Sequence, residues 1–365
     1  MRIAFRTDAS TEIGTGHVMR CLTLANALRE QGAECHFICR EHQGNLISFL
    51  IEQGHRVHAL PDSRILQNNG ADNTEHQLAH TTWLGASQEV DARLCQVIAK
   101  ELRPDWLIVD HYALDAQWEK ALRSHCKNLM VIDDLVDRQH DCDLLLDQTF
   151  GRTPKDYLQQ VPKHCQLLCG TEYALLRPEF SQWRNYSLKR RTQGQLEQLL
   201  INLGGVDKDN ITSQILQALA DSSLPNNCHI TVVMGATAPW IEEVKQQATQ
   251  LPWSTQVKVG INNMAELMAN SDLAIGAAGS TSWERCSLGL PTLMIVLAEN
   301  QINIASTLKQ RGAAEILPKI KNLKGCLSTT SRQPQYLIKM SIQAAKVTDS
   351  HGCARVCDTL LRTTT

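Results

Sequence analysis

The chain has 365 residues, with 36 Lys and Arg against 38 Asp and Glu, a formal charge of −2 at pH 7 and a 43% hydrophobic composition. That is an ordinary globular balance, long enough for two domains with a core each. It provides no basic field to recruit nucleic acid or a membrane surface. Charge at Arg2, Arg6 and Asp8 interrupts the first apolar run before a signal-peptide core can form, and stretches such as 293–298 are too short to span a bilayer, so a cytoplasmic protein is expected. Thirteen scattered cysteines form neither a CxxC pair nor a disulfide framework, and Cys35/Cys39, Cys165/Cys169 and Cys353/Cys357 lack a histidine at zinc spacing. No metal and no cofactor are expected.

In chain order, short apolar runs predict strands at 2–6, 34–39, 56–60, 106–110, 129–132 and 144–146, alternating with helical periodicity. Val18, Cys21, Leu22, Ala25 and Leu28 make one helix, stopped at Gly32. This alternation predicts a parallel sheet covered by helices. The polar segment 62–86, with Asn68, Asn69, Gly70, Asp72 and Asn73, interrupts it as a candidate lid. An exposed connection at 181–196 precedes a second series of strands at 198–203, 229–234, 256–259, 273–276 and 292–296. The predicted domains are 1–180 and 197–325, followed by helices within 336–346 and 353–361. Packing back on the first domain is the candidate path for 326–365.

The first strand runs through Arg6, Thr7 and Asp8 into a loop with Ser10, Gly14 and Gly16, and a helix opens at His17. The two glycines let backbone approach a ligand, and a helix N-terminus favours an anion. Met19 stands where a dinucleotide fingerprint needs its third glycine, and Glu34 and Glu41 only approximate its acidic residue, so NAD is not implied. His17 is the candidate general base, with Asp8 its candidate orienting partner; taken alone, a histidine at a helix start more often caps or packs. In the second series, Gly204 and Gly205 follow one strand, and Gly279, Ser280 and Thr281 join another to a helix carrying Glu284, a candidate acceptor for both hydroxyls of a ribose. Asn300 and Gln301 open the next helix. Each loop alone reads as a turn; together they predict a nucleotide-diphosphate site.

The run RTDASTEIGTGHVMRCLTLA, from Arg6 to Ala25, resembles the hydrolase family of pseudaminic acid synthesis, which releases UDP from UDP-2,4-diacetamido-2,4,6-trideoxy-β-L-altropyranose. Trp83, Leu84, Gly85, Asp91 and Ala92 also match that family's pattern, and GAAGSTSWERCSLGLPTLMIVLAENQ is similar to the wider MurG-like glycosyltransferases. The resemblance implies two Rossmann-like α/β domains facing across a cleft in the GT-B arrangement, and a metal-independent, inverting hydrolysis with His17 as catalytic residue. It implies a UDP-sugar as the partner molecule. Arg6, Ser10, Gly14 and Gly16 are expected near the substrate, with Gly204, Gly205, Gly279, Ser280, Thr281, Glu284, Asn300 and Gln301 in the nucleotide-sugar pocket.

The family's mobile loop carries a tyrosine, whereas 62–86 has none, leaving Trp83 or His80 as candidate substitutes. His76 and His80 lack the glutamate of an HExxH zinc site and read as a solvated loop. Asp141/Asp143 and Asp207/Asp209 have cation-binding spacing but read as structural, the first opening a strand and the second capping a helix; Asp133 and Asp134 are placed at the border of the sugar site. A glycosyltransferase of the same architecture and a non-catalytic nucleotide-sugar sensor are the rival readings. Oligomeric state is not legible.

Overall fold

The structure, a computed structural model, describes residues 1–62 and 78–362. The chain splits into two compact units, one of 1–175 with 352–365 and one of 176–351. The second unit therefore begins within the predicted first domain, and only part of the 326–365 segment belongs to unit 1. Asn68, Asn69, Gly70, Asp72, Asn73 and His76 lie outside the described residues.

Unit 1 is a seven-stranded parallel sheet in the order β3-β2-β1-β4-β5-β6-β7. Its strands are β1 (Arg2–Thr7), β2 (Glu34–Arg40), β3 (Arg56–Leu60), β4 (Trp106–Asp110), β5 (Asn128–Ile132), β6 (Leu144–Asp147) and β7 (Gln166–Cys169). The helices are α1 (Gly16–Glu30), α2 (Ile47–Glu52), α3 (Gln88–Leu102) and α4 (Ala116–Leu122). Parallel strands covered on both faces must be apolar on both faces, and β4 is buried at every position. Phe5, Phe37, Trp106 and Ile108 face one core with α1; Ala4, Ile38, Leu107 and Val109 face the other, with Trp118 of α4. Gly32, at φ 85°, ends α1 in the left-handed conformation that glycine adopts without steric cost.

Unit 2 is a six-stranded parallel sheet in the order β10-β9-β8-β11-β12-β13. Its strands are β8 (Gln198–Asn202), β9 (His229–Met234), β10 (Ser254–Val259), β11 (Leu273–Ala277), β12 (Thr292–Ile295) and β13 (Glu315–Ile316). Its helices are α5 (Pro178–Arg190), α6 (Ile211–Ala220), α7 (Ile241–Ala248), α8 (Met264–Asn270), α9 (Thr281–Ser287), α10 (Ile302–Gln310), α11 (Leu323–Arg332) and α12 (Pro334–Ala345).

The next helix, α13 (Gly352–Arg362), returns to unit 1, where Cys353, Val356, Cys357 and Leu360 enter the core beside α1 and the Trp106 indole donates to the Leu360 carbonyl at 3.1 Å. A Cβ on Gly352 would lie 2.4 Å from the backbone of Ala174, so only glycine permits this docking.

In both sheets strand order reverses beside the first strand of the unit, between β1 and β4 and between β8 and β11. Loops at the carboxyl ends of such strands diverge and leave a crevice, the usual ligand position in open α/β sheets.

Candidate active site

β1 delivers the Gly14–Gly16 loop to its carboxyl end, and α1 starts there with His17 as its second residue. Gly14 requires glycine, at φ 77°, and a Cβ built on it meets no heavy atom within 4 Å, so this face of the loop is open. Thr15, the N-cap, makes no side-chain cap to α1. Ser10 is buried and its Oγ accepts from the amides of Glu12 and Ile13 at 3.1 and 2.9 Å; it holds the loop's shape.

His17 is held by Asp110, and this corrects the expectation for Asp8. Asp110 ends β4 opposite Thr7 of β1, and its Oδ1 lies 2.6 Å from His17 Nδ1. Arg20, one turn along α1, forks onto both oxygens of Asp110 at 2.6 and 2.7 Å and reaches Asp134 Oδ2 at 3.0 Å. Burial opposes ionisation of Asp110, but the charge of Arg20 and the His17 contact together hold its carboxyl below the usual range. An ionised Asp110 accepts, so Nδ1 of neutral His17 carries the hydrogen and Nε2 presents a lone pair. Nε2 makes no hydrogen bond with any described residue.

The Tyr112 ring meets His17 edge-on with centroids 4.5 Å apart, and its hydroxyl donates to Asp134 at 2.5 Å. Trp83 stacks on Tyr112 at 5.8 Å and stands 6.5 Å from His17, while His80 lies 4.4 Å from Trp83. The end of the 62–86 segment thus contributes an aromatic wall beside His17.

Asp8 and Arg6 serve a different purpose. Asp8 leans towards β2, accepting from the Arg40 amide at 2.6 Å and pairing with Arg6 at 2.7 Å; burial raises its carboxyl, but Arg6 and the flanking His111 and His42 pull it well below its usual range. Arg6 also binds Asp91 through Nε and Nη2 at 3.1 and 2.7 Å, and is fully buried. Asp91 takes Arg40 at 2.5 Å and the Trp118 indole at 3.0 Å as well. Arg6 and Asp8 are bound into this buried framework of charges, and neither pairs with His17. Asp133 is likewise committed, to Arg138 at 2.9 Å, Tyr157 at 2.8 Å and the Val136 amide at 3.0 Å, whereas Asp134 belongs to the His17 cluster.

In unit 2, β8 ends at Asn202 and Gly204 turns at φ 96°. A Cβ on Gly235 would stand 2.0 Å from the Gly205 carbonyl, so the loops after β8 and β9 touch backbone to backbone. After β11 the Ala278 amide donates to Ile295, Ser282 to Gly279 and Trp283 to Ser280. The amides of Gly279 and Ser280 donate to no group among the described residues. Gln301 Oε1 is fixed by the Leu297 amide at 2.9 Å, and its Nε2 stands 3.7 Å from where a Gly279 Cβ would be. Gly279, Ser280, Thr281 and Gln301 therefore share one end of the sheet, while Asn300 is exposed there.

Glu284 sits one turn into α9 with its side chain 20% exposed and its carboxyl 3.8 Å from Arg177; burial raises it above the usual carboxylate range, and Arg177 and then Arg285 oppose that rise.

The Asp-x-Asp pairs do hold structure. Asp143 forks onto Arg123, and Asp207 accepts the Ile211 and Thr212 amides at 2.9 Å each, capping α6. No group of three or more ligating side chains fit for a metal ion occurs among the described residues.

Sequence reasoning missed Asp110, Arg20 and Tyr112. Their signal was an aspartate closing a fully apolar run, Trp106–Asp110, which a reversal of strand order brings beside β1.

Two parallel sheets of this kind, each with its loops at a reversal of strand order, make a two-domain α/β fold of the GT-B type. A crystal structure of MurG from Acinetobacter baumannii has a similar fold, with a TM-score of 0.68 and 17% identity over 99% of each chain. Residues 199–352 match the glycosyltransferase family 28 C-terminal domain. The UDP-2,4-diacetamido-2,4,6-trideoxy-β-L-altropyranose hydrolase of Campylobacter jejuni is 27% identical over 86% of this chain and 97% of its own. An uncharacterized protein of Methanocaldococcus jannaschii is also 27% identical, over 83% of this chain; the match spans 56% of that protein, little more than half its length. Among the described residues no helix is long and apolar enough to cross a membrane.

Proposed function

We propose that the chain is an inverting hydrolase of a UDP-activated diacetamido sugar, of the kind named for the Campylobacter relative. The carrying observation is the His17–Asp110 pair, a base whose free nitrogen is defined by the carboxylate behind it. Nε2 of His17 takes a proton from water, whose oxygen forms the new bond to C1 of the sugar. The bond from C1 to the UDP oxygen breaks with its electron pair staying on the β-phosphate. That leaving group needs charge stabilisation more than a proton, which suits the open amides of Gly279 and Ser280 and the hydroxyls of Ser280 and Thr281. A single base replaces the usual pair of glycosidase carboxylates. Trp83, Tyr112 and His80 would bound the sugar beside His17, and Glu284 would accept the ribose hydroxyls.

The test is NMR of the protein with UDP-2,4-diacetamido-2,4,6-trideoxy-β-L-altropyranose in ¹⁸O-water, with EDTA and no acceptor. UDP release, inverted C1 and label on the sugar are expected. The family 28 match favours a second reading, a glycosyltransferase, and turnover only with an added acceptor would establish that instead.

A further inference from the structure

Arg285 lies on α9, and its guanidinium folds back under the loop that follows β11. Nη2 donates to the Ala277 carbonyl at 2.6 Å and to Ser282 Oγ at 3.1 Å, and Nη1 donates to Thr281 Oγ1 at 3.1 Å. The residue is 2% exposed, and Nε is buried without a partner among the described residues. A Cβ on Gly276 would lie 2.5 Å from Nη1, so glycine there makes room for the cation. No carboxylate among the described residues is within ion-pairing distance; burial pulls the guanidinium down to about 10, against a smaller opposing pull from neighbours that include Glu284. An unpaired buried charge is costly, and its acceptors here are one carbonyl and two hydroxyls, none of them charged.

A second buried arginine of unit 2 marks the contrast. Arg191 also has no carboxylate within ion-pairing distance among the described residues, although the charge of Asp272 reaches it, and it donates to the carbonyls of Ser187, Met268, Ser271 and Leu288. Those are the last carbonyls of α5, α8 and α9, which carry partial negative charge, so Arg191 is compensated by the fold itself. Arg285 has a single carbonyl, at the end of a strand, and none from the end of a helix.

We infer that Arg285 is a positioning residue for the diphosphate: it places a buried positive charge without an ion pair under the Gly279–Thr281 loop and fixes the Thr281 hydroxyl as a donor towards a phosphate oxygen. The inference rests on the reading that this loop of unit 2 holds UDP. Its chemistry is simple. A hydroxyl whose lone pair is taken by a guanidinium turns its own hydrogen away from that cation, and Thr281 is half-buried, with room to present it. The ligand then supplies the close counter-charge that no ion pair provides, and the guanidinium need not touch it.

Titration calorimetry with UDP and with uridine separates this from a merely structural role. Arg285→Met is expected to weaken UDP about ten- to a hundredfold, the worth of a charge-assisted hydrogen bond, with uridine affinity unchanged. Arg285→Lys should recover part of the loss. In a Thr281→Val background, which itself loses UDP but not uridine, Arg285→Met should cost less than in the parent chain. Thermal unfolding of Arg285→Met is expected at or above the parent temperature, since an unpaired cation has been removed. If that variant does not fold, Arg285→Lys and Thr281→Val carry the test. UDP binding as tight as the parent's, or an equal loss of uridine, overturns the inference. A parent chain that binds no UDP overturns instead the reading of unit 2 as the nucleotide site.

Discussion

The carboxyl end of the sheet in unit 1 is crowded with ionised side chains that answer one another: Arg6 with Asp8 and Asp91, Arg40 with Asp91, Arg20 with Asp110 and Asp134. The matching end in unit 2 is built mainly of Gly204, Gly205, Gly279, Ser280 and Thr281 above one arginine with no carboxylate partner among the described residues. The two arrangements suit different tasks. Aiming a proton acceptor needs a stiff lattice of opposite charges that over-determines one imidazole orientation. Holding an anion needs backbone donors that can be approached closely and a surplus of positive charge.

On this division of tasks the largest effect lies in unit 1 and spares binding. His17→Asn is expected to lower kcat by about 10²–10⁴-fold while UDP affinity by calorimetry stays put, and Asp110→Asn should fall in the same direction because the tautomer is no longer dictated. A loss of UDP affinity in His17→Asn would erase the contrast. Next in size is the lattice: Asp91→Leu leaves Arg6 and Arg40 each short of a buried partner, and chemical denaturation should register a loss of about 3–5 kcal/mol.

In unit 2 a backbone change should act where a charge change acts in unit 1. Gly235→Ala drives a methyl into the Gly205 carbonyl, and denaturation should show a loss of about 1–3 kcal/mol together with weaker UDP binding. Unchanged UDP binding there would separate the β8 loop from the nucleotide site.

The smallest effect is in pH. Burial and then Arg29 pull His55 down to about 4, so below the free-histidine range the unfolded chain takes up a proton that the folded chain refuses. The stabilisation is present in full above about pH 6.5 and is lost as pH falls towards 4. His55→Gln should flatten the melting temperature over that interval; an identical slope in both proteins would assign the acid loss to other groups.

Much of the fold is legible because parallel strands buried on both faces announce themselves as apolar runs; β4 and β9 fall where the sequence places them. The strands that escape are the outermost ones. β7 is only partly buried, and β13 is two residues long, so neither carries enough apolar pattern to be read. His17 and the glycine loops are legible for a related reason, since their position depends only on local chain order. The partner of His17 is not, because nearness in sequence favours Asp8 while the sheet decides otherwise. β1 lies between β2 and β4; Asp8 turns to the Arg40 amide on one side, and α1 sets His17 against Asp110 on the other. Arg285 escapes because a buried charge leaves no mark in an amphipathic pattern.

The return of α13 to unit 1 gives the chain an order in time. Trp106 and the inner face of α1 lack this cover until residues 352–362 have been made. A ribosome adding about 5–20 residues per second spends roughly 9–35 s on unit 2 first. Unit 2, continuous in sequence, can therefore be finished while its predecessor is still open at one seam. The nascent sheet, its seven strands complete by residue 169, waits through that interval without α13, and the charges buried at the carboxyl end of its central strands, paired from residues 6 to 134, are already made.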